Sequence, residues 1–219
     1  MDFTHIKKRL ARLDSASICD ASQTFRVMDP GIKPLFEGIR MIGVARTAHS
    51  RGDFLTVIKA LQEAVEDEVL VIDAEGDKIA MAGELFATEA KRKKLAGMVI
   101  DGGCRDVAQI RKIRFPVFAR HITPMAGGAS KIFKTQTQVT CGGVQVSPGD
   151  ILFGDDDGVV VISQEDITHI MDGAESIQAT EAKVLKKIEH QTSLFLLTNF
   201  SEHYERITKG EESKLTFTI

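Results

Sequence analysis

The chain has 219 residues, 43% hydrophobic and 27% charged, with 28 Lys and Arg against 31 Asp and Glu for a formal net charge of −3. Such a composition belongs to a globular chain able to bury a sizeable core, and it excludes wholesale disorder. The near balance of charge, the absence of Trp and the single Tyr leave little to attract a phosphate backbone or stack on bases, so nucleic acid is not an expected partner.

The length predicts one α/β domain with extensions. Ile6, Leu10 and Leu13 recur at helical spacing and predict a short first helix; a second follows over Ser17–Ala21, with Ser15 or Ser17 as its cap. Asp29-Pro30-Gly31 is turn chemistry, and Gly38 to Ala48 reads as extended. Leu55, Ile58, Leu61 and Val65 mark an amphipathic helix running into Glu66-Asp67-Glu68. Val69–Asp73 and Met98–Asp101 are short apolar runs of the buried-strand kind, with a helix over Glu84–Leu95 between them. Val107, Ile110 and Ile113 give another helix, and Pro116–Ala119 a third strand. Strands alternating with helices predict parallel pairing. From Val139 to Ser163 glycine-rich turns separate short extended runs, as in hairpins, and Asp155-Asp156-Asp157 reads as an acidic turn rather than a metal site. Beyond Gln164 the chain reads as helical to about His190, and Asn199–Ile219 as a polar arm suited to a neighbouring subunit.

Cys19, Cys104 and Cys141 share no metal or CxxC spacing and read as reduced packing thiols, Cys104 having the further option of a lowered pKa beside Arg105. With no apolar run at the start and none long enough for a bilayer, the expectation is a cytoplasmic protein with no membrane contact.

Two segments carry chemistry. Asp101-Gly102-Gly103-Cys104-Arg105-Asp106 is expected as a loop after a buried strand, where ligands of open α/β sheets bind. Its glycines allow close backbone approach, and Arg105 offers an anion fork beside the hard-cation ligand Asp106. The structural alternative makes Asp106 the cap of the following helix. Gly83-Glu84-Leu85-Phe86 opens a helix whose free amides suit a small carboxylate; alternatively, Glu84 simply complements the helix dipole.

Glu84, twenty intervening residues and Arg105-Asp106 form a spacing that resembles the acidic-X20-Arg-Asp signature of the RraA-like family. The resemblance extends over about residues 15–165, through Gly83–Thr88, Gly97–Asp106, Phe115–Arg120 and Pro148–Val159. That family includes class II 4-hydroxy-4-methyl-2-oxoglutarate/4-carboxy-4-hydroxy-2-oxoadipate aldolases and the regulator of ribonuclease activity A. The resemblance implies a swivelling β/β/α fold over the core, with residues 166–219 as a helical tail, and a homotrimer or hexamer with sites at subunit boundaries. It implies Asp106 as the protein ligand of Mg²⁺ or Mn²⁺, and Arg105 as the contact to the carboxylate and keto oxygen of a pyruvate-like 2-oxo acid. Gly83 with the amides of Leu85 and Phe86 would hold the substrate carboxylate, and Glu84 would orient a metal-bound water. Gln109 stands where members often carry an acidic residue, and Glu181 is a candidate contribution from a neighbouring chain.

The chemistry implied is cleavage of a 4-hydroxy-2-oxo acid to a pyruvate enolate, with decarboxylation of oxaloacetate giving the same enolate. A Schiff-base route lacks its lysine, since Lys91, Lys93 and Lys94 sit in a like-charged run and nothing recommends Lys59. His49 and His121 follow strand-like segments and are candidates to line the site. The rival is a non-catalytic regulator that binds and inhibits ribonuclease E; such a surface has no need of Asp106 as a metal ligand.

Overall fold

The computed structural model describes residues 2–22 and 26–218. Two N-terminal helices, α1 (Phe3–Leu10) and α2 (Ser15–Ala21), precede the short strand β1 (Lys33–Pro34). Then β2 (Met41–His49), α3 (Leu55–Glu63), β3 (Glu68–Ala82), α4 (Glu84–Arg92), β4 (Gly97–Cys104), α5 (Val107–Ile113) and β5 (Val117–Ile122) alternate. The hairpins β6 (Val139–Cys141)–β7 (Val144–Val146) and β8 (Ile151–Asp155)–β9 (Gly158–Ile162) follow, then the long helix α6 (Ile167–Glu189) and, past a 3₁₀ turn, α7 (Phe200–Thr208).

One mixed sheet has the strand order β1-β5-β4-β3-β2-β8-β9, and β6-β7 forms a ribbon apart. The four central strands β2–β5 pair in parallel, joined through α3, α4 and α5, while β1, β8 and β9 add antiparallel edges. Side chains alternate across the sheet as its period of two requires. Leu70, Ile72, Met98, Ile100 and Val117 join the core under the helices; Val69, Val71, Val99 and Phe118 join a second core under the β6-β7 ribbon. A third cluster binds α1, α2 and the first half of α6 to β8 and β9.

Several boundaries differ from the sequence expectation. The cap of α2 is Asp14, whose carboxylate accepts the Ser17 amide, rather than Ser15 or Ser17. Ser15 instead donates its amide and hydroxyl to Asp155, and Asp156 accepts the Gly38 amide, so the acidic turn ties loops together. β3 does not stop at Asp73 but continues to Ala82 through a run of bulges against β4. The polar Glu75-Gly76-Asp77-Lys78 interrupts its apolar pattern without ending its pairing. β4 likewise continues through Gly102, Gly103 and Cys104, all buried, where a loop was expected. A Cβ on Gly102 would lie 2.7 Å from the Ala74 Cβ, and one on Gly103 2.6 Å from the Ile79 carbonyl oxygen. These glycines therefore admit the bulged backbone of β3, not a ligand. The tail is not simply polar: it contains α7 and a cluster of exposed apolar side chains. No helix among the described residues is long and apolar enough to cross a membrane.

Candidate active site

The carboxyl ends of β3 and β4 lie side by side, with Ala82 paired to Cys104. β3 passes into α4 through Gly83, and β4 passes into α5 through Arg105 and Asp106. The two segments singled out in the sequence thus meet at the carboxyl end of the central strands, where a parallel α/β layer places its ligands. The Arg105 amide donates to the Ala82 carbonyl at 3.1 Å and pins the second turn against the first.

Gly83 is the N-cap of α4, in extended backbone (φ −161°) that any residue adopts. What it provides is space. A Cβ there would fall 2.4 Å from Asp106 Oδ2 and 2.9 Å from Arg105 Cγ. Into that hollow Asp106 turns its carboxylate, accepting the Glu84 amide at 3.1 Å, with the Arg105 Nε 3.4 Å from the same oxygen. Asp106 does occupy the N-cap position of α5, but in the left-handed region (φ 59°, ψ 31°) and with no side-chain bond to that helix. The capping alternative therefore fails at the side chain.

A helix N-terminus leaves its first amides without intrahelical partners. In α4, Asp106 takes the Glu84 amide and the Ala87 amide reaches the Gly83 carbonyl. Among the described contacts, the Leu85 and Phe86 amides have none, and Gly83 has no side chain to cap them. Two free donors at the positive end of a helix, beside an arginine, fit a carboxylate. Glu84 is half-buried and its carboxylate makes no described hydrogen bond, leaving it available to water or ligand.

The cleft between these groups has a volume of about 40 Å³ and is walled by Phe54, Ala80, Phe86 and Ala126 together with Arg105 and Asp106. Phe54 and Phe86 meet edge-on with ring centroids 5.9 Å apart. The loop bearing Ala126 is held by Asp53, a buried carboxylate accepting the amides of Leu55, Ser130 and Lys131. Burial pushes the Asp53 carboxyl upward, but those amides outweigh it and hold it below its ordinary value. Sequence reasoning missed Asp53, Phe54 and Ala126, which no motif marked.

Other candidates lie elsewhere. A larger cleft, about 660 Å³, is lined by His49 and Asp73 with the 132–140 segment, and lacks the convergent Arg105, Asp106 and helix amides. His49 sits 3.5 Å from both Asp73 and Glu75, and His121 contacts the Gly76 carbonyl. Neither histidine lines the smaller cleft. Asp73 accepts the amides of Glu75 and Thr140; Asp101 accepts the Gly142 amide and pairs with Arg120. Both hold loops, although they lie within β3 and β4 rather than at strand ends as the sequence suggested. Cys104 is buried, and desolvation pushes its thiol up to about 12 rather than down, which removes the option of a reactive thiolate.

A parallel α/β layer with an Arg-Asp pair facing a glycine-led helix start defines the class of protein to which the comparisons point. The chain belongs to the RraA-like family (Aldolase/RraA), whose match spans residues 15–161. A relative from Halalkalibacterium halodurans, named "Putative 4-hydroxy-4-methyl-2-oxoglutarate aldolase", is 37% identical over 171 residues, 77% of this chain and 81% of the relative. The crystal structure of Streptomyces coelicolor RraAS2, described as an unusual member of the RNase ES inhibitor RraA protein family, superposes with a TM-score of 0.75 at 27% identity, covering 84% of this chain and 98% of that one. A Pseudomonas syringae protein shares the fold at a TM-score of 0.79 and 22% identity, over 87% of this chain and 95% of its own.

Proposed function

We propose that this chain is a divalent-metal-dependent lyase that cleaves 4-hydroxy-2-oxo acids, of the 4-hydroxy-4-methyl-2-oxoglutarate type, to pyruvate, and that also decarboxylates oxaloacetate. The observation that carries this reading is the Asp106 carboxylate, turned away from its own helix toward Gly83, beside Arg105 and the two free amides of α4. The names of the aldolase relatives support it.

The residues fit Mg²⁺ or Mn²⁺. Asp106 presents a hard oxygen donor, its side chain is 38% exposed, and no bond is described to its second oxygen. No cluster of three or more His, Cys, Asp or Glu side chains able to hold a metal occurs among the described residues. A single carboxylate with waters and substrate completing the shell is the sparse arrangement that Mg²⁺ accepts. When bound there, the cation would act as a Lewis acid toward the 2-oxo oxygen.

The chain's own groups do the rest. The Leu85 and Phe86 amides bind the substrate carboxylate and fix its plane. Arg105 donates to the 2-oxo oxygen, where negative charge develops as the C3–C4 bond breaks and its electron pair passes into the enolate. The C4 hydroxyl proton leaves to a water held by Glu84 as C4 becomes a carbonyl; the same water returns a proton to C3, releasing pyruvate. With oxaloacetate the departing group is CO₂ and the same enolate forms; no hydroxyl proton is released, so the water held by Glu84 gives C3 a proton drawn from solvent.

Leu85, Ile122 and Met125 leave an exposed apolar rim at this edge. Such a rim suits coverage by another copy, consistent with a homotrimer or hexamer holding the site at a boundary. Glu181, exposed on α6, is then a contributor from the neighbour. The free cysteines Cys19, Cys104 and Cys141 support a cytoplasmic location in this reading. The test is pyruvate release from oxaloacetate and 4-hydroxy-4-methyl-2-oxoglutarate, with Mg²⁺, with excess chelator, and for Asp106→Ala. Metal-dependent release lost in the variant is expected; full turnover under chelation refutes the metal, and no pyruvate at all refutes the chemistry. In that last case the rival reading, a regulator that captures ribonuclease E, becomes the one to test; the RraAS2 description names an RNase ES inhibitor family.

A further inference from the structure

Apart from Arg105 and Asp106, every described side chain lining the active-site cleft is apolar. Its aromatic part is Phe54 and Phe86, flanked by Ala80 and Ala126. These four come from separate stretches of chain, and backbone bonds stitch the stretches together. The Phe54 amide donates to the Gly128 carbonyl at 2.8 Å, and the Gly128 amide to the Gly52 carbonyl at 3.0 Å. Ala126 bridges to Ala80 of β3, between the Ala80 amide on Met125 (2.8 Å) and the Gly127 amide on Ala80 (3.2 Å). A Cβ on Gly127 would lie 2.9 Å from the Gly52 carbonyl oxygen, so glycine is what lets the loop lie so close.

Phe54 stands at the N-cap of α3 without a cap bond, a position that favours short polar side chains. Both rings rest on the core under the helices yet stay partly exposed, and both line the cleft. The result is a fixed apolar wall beside the Arg105-Asp106 pair.

The reach of the substrate brings its C4 to that wall. With the C1 carboxylate on the Leu85 and Phe86 amides, C4 lies three bonds away, roughly 3.8 Å in an extended chain, as between successive Cα atoms. Phe86 therefore offers an amide to one end of the substrate and a ring to the other. Arg105 is the one cation among the described lining residues, and the 2-oxo oxygen engages it. A second carboxylate that stays on C4 loses water against this wall and gains no partner.

We propose that Phe54, Phe86 and Ala126 select the C4 substituent, and that the preferred substrates are 4-hydroxy-2-oxo acids carrying a short hydrocarbon there and no second carboxylate. The inference rests on the lyase reading and narrows its substrate class. Oxaloacetate remains a substrate because its C4 carboxylate departs. As the C3–C4 bond breaks, the electron pair passes into the enolate and the group leaves as neutral CO₂. The apolar wall therefore disfavours the ground state more than the transition state.

The test is pyruvate release with Mg²⁺ from 4-hydroxy-2-oxopentanoate, 4-hydroxy-4-methyl-2-oxoglutarate and oxaloacetate. The first two differ at C4 by a hydrogen in place of the carboxylate. The wild type is expected to favour the pentanoate by about tenfold or more in kcat/KM. Ala126 is exposed, so the fold accepts a longer side chain there. Ala126→Lys is expected to reverse the order, with a lower KM for the glutarate and a kcat for oxaloacetate reduced by about tenfold, while Ala126→Met keeps the wild-type order. Phe54→Ala is expected to narrow the preference by about fivefold or more. Damage to the fold would instead lower all three substrates together. A wild type that handles the glutarate as well as the pentanoate, or an Ala126→Lys variant with wild-type order, overturns this proposal and leaves the lyase reading standing. Absence of pyruvate from all three substrates refutes the lyase reading, and the proposal falls with it.

Discussion

Gly83→Ala separates damage to the site from damage to the fold. The backbone there tolerates alanine, so the perturbation is steric and local: the new methyl would sit 2.4 Å from Asp106 Oδ2 and 2.9 Å from Arg105 Cγ. Ordinary contact begins at roughly 3.5 Å, so the carboxylate retreats by about 1 Å. Folding loses the 3.1 Å bond from the Glu84 amide. A bond to a charged group is worth about 1.5–3 kcal/mol, reduced here to about 1 kcal/mol because half-exposed Asp106 is rehydrated. For a chain of this size that lowers Tm by roughly 2–4 °C. A 1 Å misplacement of a catalytic group costs on the order of 10²-fold in rate, or about 2.7 kcal/mol of barrier. The expected result is a stable protein whose metal-dependent pyruvate release, as kcat/KM, falls about a hundredfold. Gly97→Ala is the control: its Cβ would meet Met41 Sδ at 2.5 Å in a fully buried strand. Overpacking there costs about 1–3 kcal/mol of stability while the folded fraction keeps its rate. Should Gly83→Ala retain kcat/KM within about threefold, or lose activity only with its folded fraction, the assignment of this edge as the reacting site is wrong.

Asp106→Asn keeps an oxygen for the Glu84 amide but removes the charge, so Tm is expected to hold within a few degrees while Mg²⁺-stimulated turnover falls by about 10²–10³-fold; stimulation by Mg²⁺ equal to wild type refutes the ligand role. Cys104 and Cys141 are buried, with both thiols pushed up by desolvation, whereas Cys19 is partly exposed. Thiol titration at pH 8 should count one reactive cysteine per native chain and three after denaturation; rapid reaction of a second native thiol contradicts the burial. Asp53 is held below its ordinary pKa by three backbone amides despite its burial. A depressed carboxyl contributes stability above the unfolded-state pKa of about 3.9 and loses it as pH falls through the folded value. Asp53→Asn is therefore expected to destabilise at pH 7 and to flatten the loss of Tm below about pH 4; an unaltered acid slope counts against it.

How much of the fold could be read in advance followed from whether burial showed as a run of apolar residues. Val69–Asp73, Met98–Asp101 and the helices between them did, because central parallel strands are buried on both faces. The second half of β3 did not: Glu75-Gly76-Asp77-Lys78 breaks every period, and its pairing with β4 depends on bulges that only Gly102 and Gly103 accommodate. Those glycines were visible, but their reason lay on another strand. α7 was hidden differently. Its i, i+4, i+7 stripe is present in Phe200, Tyr204 and Ile207, but charged residues around it made the stretch read as polar, and no core contact gives it away.

At the site, the sequence left Asp106 between two roles, and backbone geometry discriminates them. A capping Asp sits in the extended region and accepts an amide from the first turn, an arrangement worth about 1 kcal/mol. Asp106 takes neither option: it adopts left-handed backbone, at a cost of roughly 1–2 kcal/mol eased by its short polar side chain, and leaves α5 without a side-chain cap. The Glu84 bond recovers part of this at most, since Asp106 is half-exposed. Gly83 forgoes its own cap of α4 in the same way, and the two unpaired amides that result belong to residues lining the same cleft. Two neighbouring helix starts each give up local stabilisation, and both departures converge on one carboxylate, one guanidinium and two free donors. Strain and unspent polar groups gathered at a single point support the proposed ligand site. That convergence is what distinguishes the Glu84–Arg105-Asp106 spacing from a chance coincidence of common residues.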